Sequence, residues 1–140
     1  MVNKPLFSDG WVTKLTNRRV MSVRGRDATD LLQNVSTQDM GIFDKEETRA
    51  AVYTGFLSVK GKILFDAIIT KPKLASQTSE DMEYWVDLHE DDIEPLKKHL
   101  RRYAMRKNVQ IEDISHVIKS FSIQTMDGVV EDEGHFFKDL

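Results

Sequence analysis

The chain contains no cysteine and only 3 prolines among its 140 residues. Without a thiol it has no disulfides, no thiolate nucleophile and no cysteine-ligated zinc or iron–sulfur cluster of its own. It lacks an excess of positive charge as well: the net charge is −3, so no overall basic field gathers nucleic acid. No apolar run approaches the length of a membrane span. The start, MVNKPLFSDGW, has neither a secretory apolar core nor an Arg/Ser-rich amphipathic presequence; an organellar protein beginning this way is expected to be in its mature form, or shortened. GxGxxG, GxxxxGK(S/T), HExxH, GxSxG and EF-hand patterns are all missing. The four histidines, His89, His99, His116 and His135, have no metal-ligand spacing and read as ordinary surface or core residues.

What is present suits one soluble globular domain, 40% hydrophobic and 31% charged, long enough to bury a core without disulfides. Asn17–Val23 reads as a strand. Asp27 is placed to cap a helix from about Ala28 to Val35, with Asp30 three residues on as in a capping box. Thr48–Val59 and Gly61–Thr70 read as a hairpin turned at Lys60-Gly61. Lys71–Asp81 reads as an exposed loop, and MEYWVDL as another strand.

The clearest helix follows: Ile93, Leu96, Leu100, Tyr103 and Ala104 recur at i, i+3, i+7, i+10 and i+11. Acidic residues crowd its start and Lys97, Lys98, Arg101, Arg102, Arg106 and Lys107 its later turns, an order that suits the helix dipole. Asn108 is expected as a left-handed C-cap. Two more strands and an acidic, poorly structured tail complete the chain.

These elements predict an α+β domain with a mixed, largely antiparallel sheet, two main helices and helices on one face. The expected organisation is a lead-in over 1–16, the domain over 17–126 and the tail over 127–140. The expected core is Val20, Val23, Leu31, Leu32, Val52, Phe56, Ile63, Phe65, Ile69, Trp85, Leu96, Leu100 and Tyr103. Two features invite a functional reading. The basic helix face over Lys97, Arg101, Arg102 and Arg106 is either a solvated surface or a contact for phosphate or an acidic partner. Asp66 interrupts the apolar run Ile63–Ile69, where alternation places it between Leu64 and Ile68. Either that face is partly solvated or paired with an arginine, or Asp66 is the polar group of a pocket floor, with its pKa raised by desolvation.

Three segments together carry a resemblance. VRGRDATDLLQNVSTQD (Val23–Asp39) fits V-x-G-x-D-A-x-x-(F/L)-L-Q-x-x-x-T-x-D. Phe56–Asp66 fits F-L-x-x-(K/Q)-G-(R/K)-x-L-x-D, and Leu100–Val109 fits L-x-R-Y-x-(L/M)-R-x-x-V. In this order, across roughly Arg18–Ser122, they resemble the N-terminal part of the YgfZ/T-protein family, which includes the glycine cleavage aminomethyltransferase and related iron–sulfur cluster assembly factors. The Gly61-Lys62-Ile63-Leu64-Phe65-Asp66 form looks more like the assembly branch, because Phe65 replaces the first of the T-protein's paired carboxylates.

The resemblance implies the first subdomain of the T-protein fold and a tetrahydrofolate-type pocket faced by Asp66, with Tyr53 and Phe56 as ligand-binding neighbours. Its implied function is a [4Fe–4S] assembly factor or scaffold in the mitochondrial matrix, or otherwise the cytoplasm, with A-type iron–sulfur carriers as partners and neither nucleic acid, membrane nor bound metal. The alternatives are an aminomethyltransferase-like folate enzyme, against which the single carboxylate counts, and a non-catalytic subunit of a larger complex. Family members are usually more than twice as long, and those of the assembly branch carry a later K-G-C-x-x-G-Q motif. A fragment, split subunit or degenerate relative is therefore expected, without catalysis by this chain alone. It should expose an apolar patch and either self-associate or take a second chain that completes the fold.

Overall fold

A computed structural model describes residues 10–45, 51–72, 81–125 and 137–138. Its centre is a five-stranded sheet built from β2 (Arg18–Arg24), β3 (Ala51–Leu57), β4 (Ile63–Thr70), β5 (Glu83–His89) and β6 (Gln110–Asp113). The order across the sheet is β3-β4-β5-β2-β6, and every neighbouring pair is antiparallel. Helix α1 (Ala28–Val35) follows β2, and α3 (Ile93–Tyr103) follows β5 through a short 3-10 turn at Glu90–Asp92. A four-residue helix, α2 (Ile42–Lys45), lies between α1 and β3.

Both long helices bury one side against the same sheet face. Ala28, Leu31, Leu32 and Val35 of α1 join Ile93, Leu96 and Leu100 of α3 over Met21, Val23, Val52, Phe56, Ala67, Ile69, Tyr84, Val86 and Leu88. The period-2 pattern of the strands and the 3.6-residue pattern of the helices therefore meet in one core.

Several expectations are revised. Trp85, Phe65 and Tyr103 are only half-buried, and Ile63 is exposed. The reason for Ile63 is a bulge: Phe56 pairs with Phe65 and Leu57 with Ile63, so Leu64 has no partner. One extra residue turns Ile63 to the outer face, where its side chain lies over Gly55. Residues 10–14, expected in the lead-in, form strand β1 (Gly10–Lys14) against β8 (Phe121–Thr125). In the tail, β9 (Phe137–Lys138) pairs with β7 (Ile118–Lys119). The expected loop at Lys71–Asp81 lies largely outside the described residues.

The capping expectations also change. Asp27 makes no side-chain cap bond to α1; its carboxylate accepts the Asn108 backbone N–H at 2.7 Å. Asn108 is not left-handed, since no described residue except glycine has positive φ. It is fixed instead by Asp27 on both sides, its carbonyl accepting the Asp27 N–H at 3.2 Å.

Candidate functional site

The β3–β4 hairpin presents two faces. Val52, Thr54 and Phe56 point to the helices; Tyr53, Gly55 and, across the ladder, Asp66 and Ile68 point outward. The outer face is apolar and open: Tyr53 is 65%, Ile63 66%, Leu64 48% and Ile68 38% exposed. Asp66 is exposed among them. The Tyr53 hydroxyl donates to its carboxylate at 2.7 Å. That hydrogen bond, reinforced by the carboxylate's charge, holds the Tyr53 phenol above its ordinary value of 10.0.

The expected site is thus only partly assembled. Tyr53 and Asp66 come together. Phe56 does not join them: it is 0% exposed and packs in the core, one strand position out of phase with the outer face. Nor does Asp66 lie in a pocket. Its apolar neighbours flank it on an open sheet face, where it is exposed rather than enclosed.

Toward the middle of the sheet this face closes over. Asp87, directly opposite Ile68, is 7% exposed. Arg18 Nε donates to it at 2.7 Å and the Ser120 hydroxyl at 2.5 Å. A buried carboxylate needs such partners, and here they anchor the segment leading into β8 on the outer face.

The hairpin is braced at both ends, by Thr37 of the first motif segment and by Gln38 and His99, which no motif position marks. Thr37 and Gln38 cover the free edge of β3: the Thr37 N–H donates to the Gly55 carbonyl at 2.9 Å, Thr37 Oγ1 accepts the Gly55 N–H at 3.0 Å, and Gln38 Nε2 donates to the Tyr53 carbonyl at 2.9 Å. This protects an edge strand from adventitious pairing. Across the core, His99 Nε2 donates to the Leu57 carbonyl at 2.9 Å, and its ring meets Tyr103 edge-on with centroids 5.0 Å apart. The spacing of 42 residues between His99 and Leu57 hides this contact from any local pattern.

The basic helix face divides. Lys97 is half-buried and lies in the field of Asp113, while Arg101, Arg102 and Arg106 are exposed. Lys107 bonds to Asp30 of α1, which raises its pKa. A separate polar groove of about 280 Å³ opens where β2 ends, lined by Arg24, Gly25, Arg26, Asp81, Asn108 and Gln110. Among the described residues no cluster of His, Asp or Glu could hold a metal ion, and no helix is long and apolar enough to cross a membrane.

The Tyr53–Asp66 face offers one carboxylate acceptor beside exposed apolar side chains. A carboxylate can accept from ring or amine N–H groups, and Ile63, Leu64 and Ile68 offer an apolar shelf. The described residues supply that one wall.

No family model matches the chain. Curated relatives do. It is 32% identical over 101 residues to the iron-sulfur cluster assembly factor IBA57 homolog, mitochondrial, of Neurospora crassa, covering 72% of this chain and 22% of that protein. The equally named protein of Aspergillus fumigatus is 34% identical over 104 residues, covering 70% and 23%. That of Dictyostelium discoideum is 29% identical over 127 residues, covering 80% and 31%. The chain therefore spans between about a fifth and a third of the length of these relatives. Among solved structures, glycine cleavage system aminomethyltransferase T from Bartonella henselae shares the fold, with TM-score 0.64 and 14% identity over 84% of this chain and 29% of that one. With its three motifs, its α+β architecture and these relatives in agreement, the chain belongs to the YgfZ/T-protein family, on the side of the iron–sulfur cluster assembly factors.

Proposed function

We propose that this chain serves iron–sulfur cluster assembly as a scaffold or adaptor in the maturation of [4Fe–4S] clusters, working in the mitochondrial matrix with A-type carriers. The observation that carries this reading is its similarity to proteins named as mitochondrial iron-sulfur cluster assembly factors. The cluster would be cargo, since the chain has no cysteine with which to hold one.

In this reading the Tyr53–Asp66 face is one wall of a folate-type site, completed by further polypeptide corresponding to the rest of the relatives' length. Tetrahydrofolate would be held as a ligand rather than turned over. A single hairpin carboxylate, exposed and already engaged by Tyr53, offers little for methylene transfer. The Asp66 carboxylate would accept from the ligand's N–H groups, Tyr53 would fix the carboxylate's orientation, and Ile63 and Ile68 would support the ring.

The test has two arms. In cells lacking the protein, [4Fe–4S] enzymes should lose activity while [2Fe–2S] enzymes keep theirs; unaffected [4Fe–4S] enzymes would overturn the assembly reading. Calorimetric titration of tetrahydrofolate into the chain joined to the remaining family fold should show binding that Asp66→Asn weakens by about 1–3 kcal/mol. No heat of binding would remove the folate site and leave the scaffold. Methylene transfer from an aminomethyl-lipoyl carrier would instead establish the enzyme.

A further inference from the structure

The solvent side of α3 carries Lys98, Arg101 and Arg102, and the turns that follow it add Met105 and Arg106. Lys98, Arg101 and Arg102 share one helical face, opposite the buried Ile93, Leu96 and Leu100, and Met105 and Arg106 stand just past the helix end at Tyr103. All five residues are exposed, Met105 to 84%. Among the described residues none of these four cations has a hydrogen bond or ion pair. Their neighbours differ: Lys107 is tied to Asp30, and Lys97 is half-buried near Asp113.

Two features make this more than a solvated surface. The stripe lies on a chain whose net charge is −3, so it runs against the average charge. It also repels itself, because Lys98 and Arg102 stand one turn apart on the helix, where like charges disfavour the helical state. The helix dipole offsets this for Arg101 and Arg102 in the last turn, but much less for Lys98.

We propose that this stripe is a docking surface for an acidic protein segment. The planar forks of Arg101, Arg102 and Arg106 match carboxylates in pairs, and the exposed Met105 is an adaptable apolar seat beside Arg106 in the chain. The stripe's helical part is short, about 6 Å of rise from Lys98 to Arg102, and the turn beyond it extends the surface, which suits a short acidic helix. A nucleic acid is disfavoured because no aromatic side chain stands on the stripe to stack a base. A membrane is disfavoured because Met105 is its one large apolar group, too little for insertion. The stripe faces away from the β3–β4 outer surface, so the proposal stands apart from the folate and assembly readings.

The probe is a fluorescent helical peptide of about four turns, with glutamates at i, i+3, i+4 and i+7 around a central leucine. It is titrated into the full chain and followed by anisotropy. The same peptide with glutamine for glutamate, a single-stranded oligonucleotide and vesicles of phosphatidylglycerol with phosphatidylcholine run alongside. The acidic peptide should bind more tightly than all three. Arg101→Glu with Arg102→Glu should weaken it at least about tenfold, while Arg101→Lys with Arg102→Lys should keep most of the affinity. Met105→Ala should cost a smaller, severalfold loss. A lysine-for-glutamate peptide should bind only the reversed variant. Glutamates at the end of α3 oppose its dipole, so Arg101→Gln with Arg102→Gln stands in if the reversed variant melts early. Equal binding of the glutamine peptide, indifference to both arginine pairs, or tighter binding of the oligonucleotide or vesicles overturns the proposal.

Discussion

Asp66 and Tyr53 form a pair whose behaviour can be read directly. The carboxylate accepts the phenol proton at 2.7 Å, so losing that proton would place two negative charges side by side, and the Tyr53 pKa is raised. Asp66→Asn should bring the Tyr53 titration down toward 10.0, seen by phenolate absorbance against a Tyr53→Phe reference. Because both groups are exposed, the same substitution should change stability by less than about 0.5 kcal/mol. A large loss of stability would mean that the pair has a structural task.

Gly25 gives the opposite case. Its φ of +139° belongs to glycine, and a Cβ there would collide with the Asn108 carbonyl. Gly25→Ala should cost about 2–4 kcal/mol in chemical denaturation, because neither backbone can move without breaking the Asp27–Asn108 bonds.

Asp113 supplies a pH dependence. Burial pushes its carboxyl up, but hydrogen bonds from Ser115, together with the charges of Arg19 and Lys97, outweigh this and leave it below 3.8. A depressed carboxyl binds its proton more weakly in the folded state. Its contribution to stability is therefore present above its ordinary value and is lost as the pH falls through the folded one. Stability should decline below about pH 4, and Asp113→Asn should flatten that acid limb. An unchanged limb would assign it to other carboxylates.

At the scale of elements, the hairpin depends on what clasps it. A two-stranded ribbon is marginal in isolation. Here β4 continues into β5, Thr37 and Gln38 close the β3 edge, and His99 holds Leu57 from α3. Phe56 is the hairpin's anchor in the core, so Phe56→Ala should cost about 3–5 kcal/mol by denaturant unfolding. His99→Ala should leave most of the sheet intact while speeding hydrogen exchange at the hairpin tip, where the N–H groups of Ser58 and Gly61 are bonded within the turn. Uniform loss of protection over the whole sheet would argue that α3 and the hairpin unfold as one unit.

The motif segments read differently at this scale. Gln33 accepts the Met40 N–H at 2.8 Å, Thr37 holds Gly55, and Asp39 accepts the Gly41 N–H at 2.9 Å. That last bond, with help from Lys45, keeps the Asp39 carboxyl below 3.8. Together with Gly25 and Asp27 they form a polar framework between α1 and the sheet. The residues that make the family recognisable in this segment are therefore mostly those that fold it.

For the whole molecule, the decisive feature is an apolar outer face on β3 and β4 that the described residues leave open. The 101 matched residues are 22% of the Neurospora crassa relative, so that protein is about three times as long as this chain and has polypeptide to spare for it. Ile63→Thr with Ile68→Thr should reduce the binding of a hydrophobic dye and shift stability by no more than about 0.5 kcal/mol per site. In a protein extended to the relatives' length, oxidative labelling of Tyr53 should fall. Labelling that stays unchanged, with concentration-dependent sedimentation of this chain alone, would give the face to a second copy instead.

Periodicity and composition determined much of this protein from the sequence alone. Strands and helices with a strong apolar period were readable: α1 spans Ala28–Val35 as expected, and Ile93, Leu96 and Leu100 make the buried stripe of α3. So was the hairpin turn, where Gly61 takes a φ of +76°. These are local properties, fixed by which residues lie next to one another along the chain. What only the tertiary structure decided depends on partners distant in sequence. A single unpaired residue, Leu64, turned Ile63 outward. Register placed Asp66 beside Tyr53 and away from Phe56. Asn108 became a partner of Asp27 rather than a helix cap, 81 residues apart. Whether the carboxylate in an apolar strand meets water or a ligand depends on what covers the sheet's outer face, and no spacing within the strand encodes that cover.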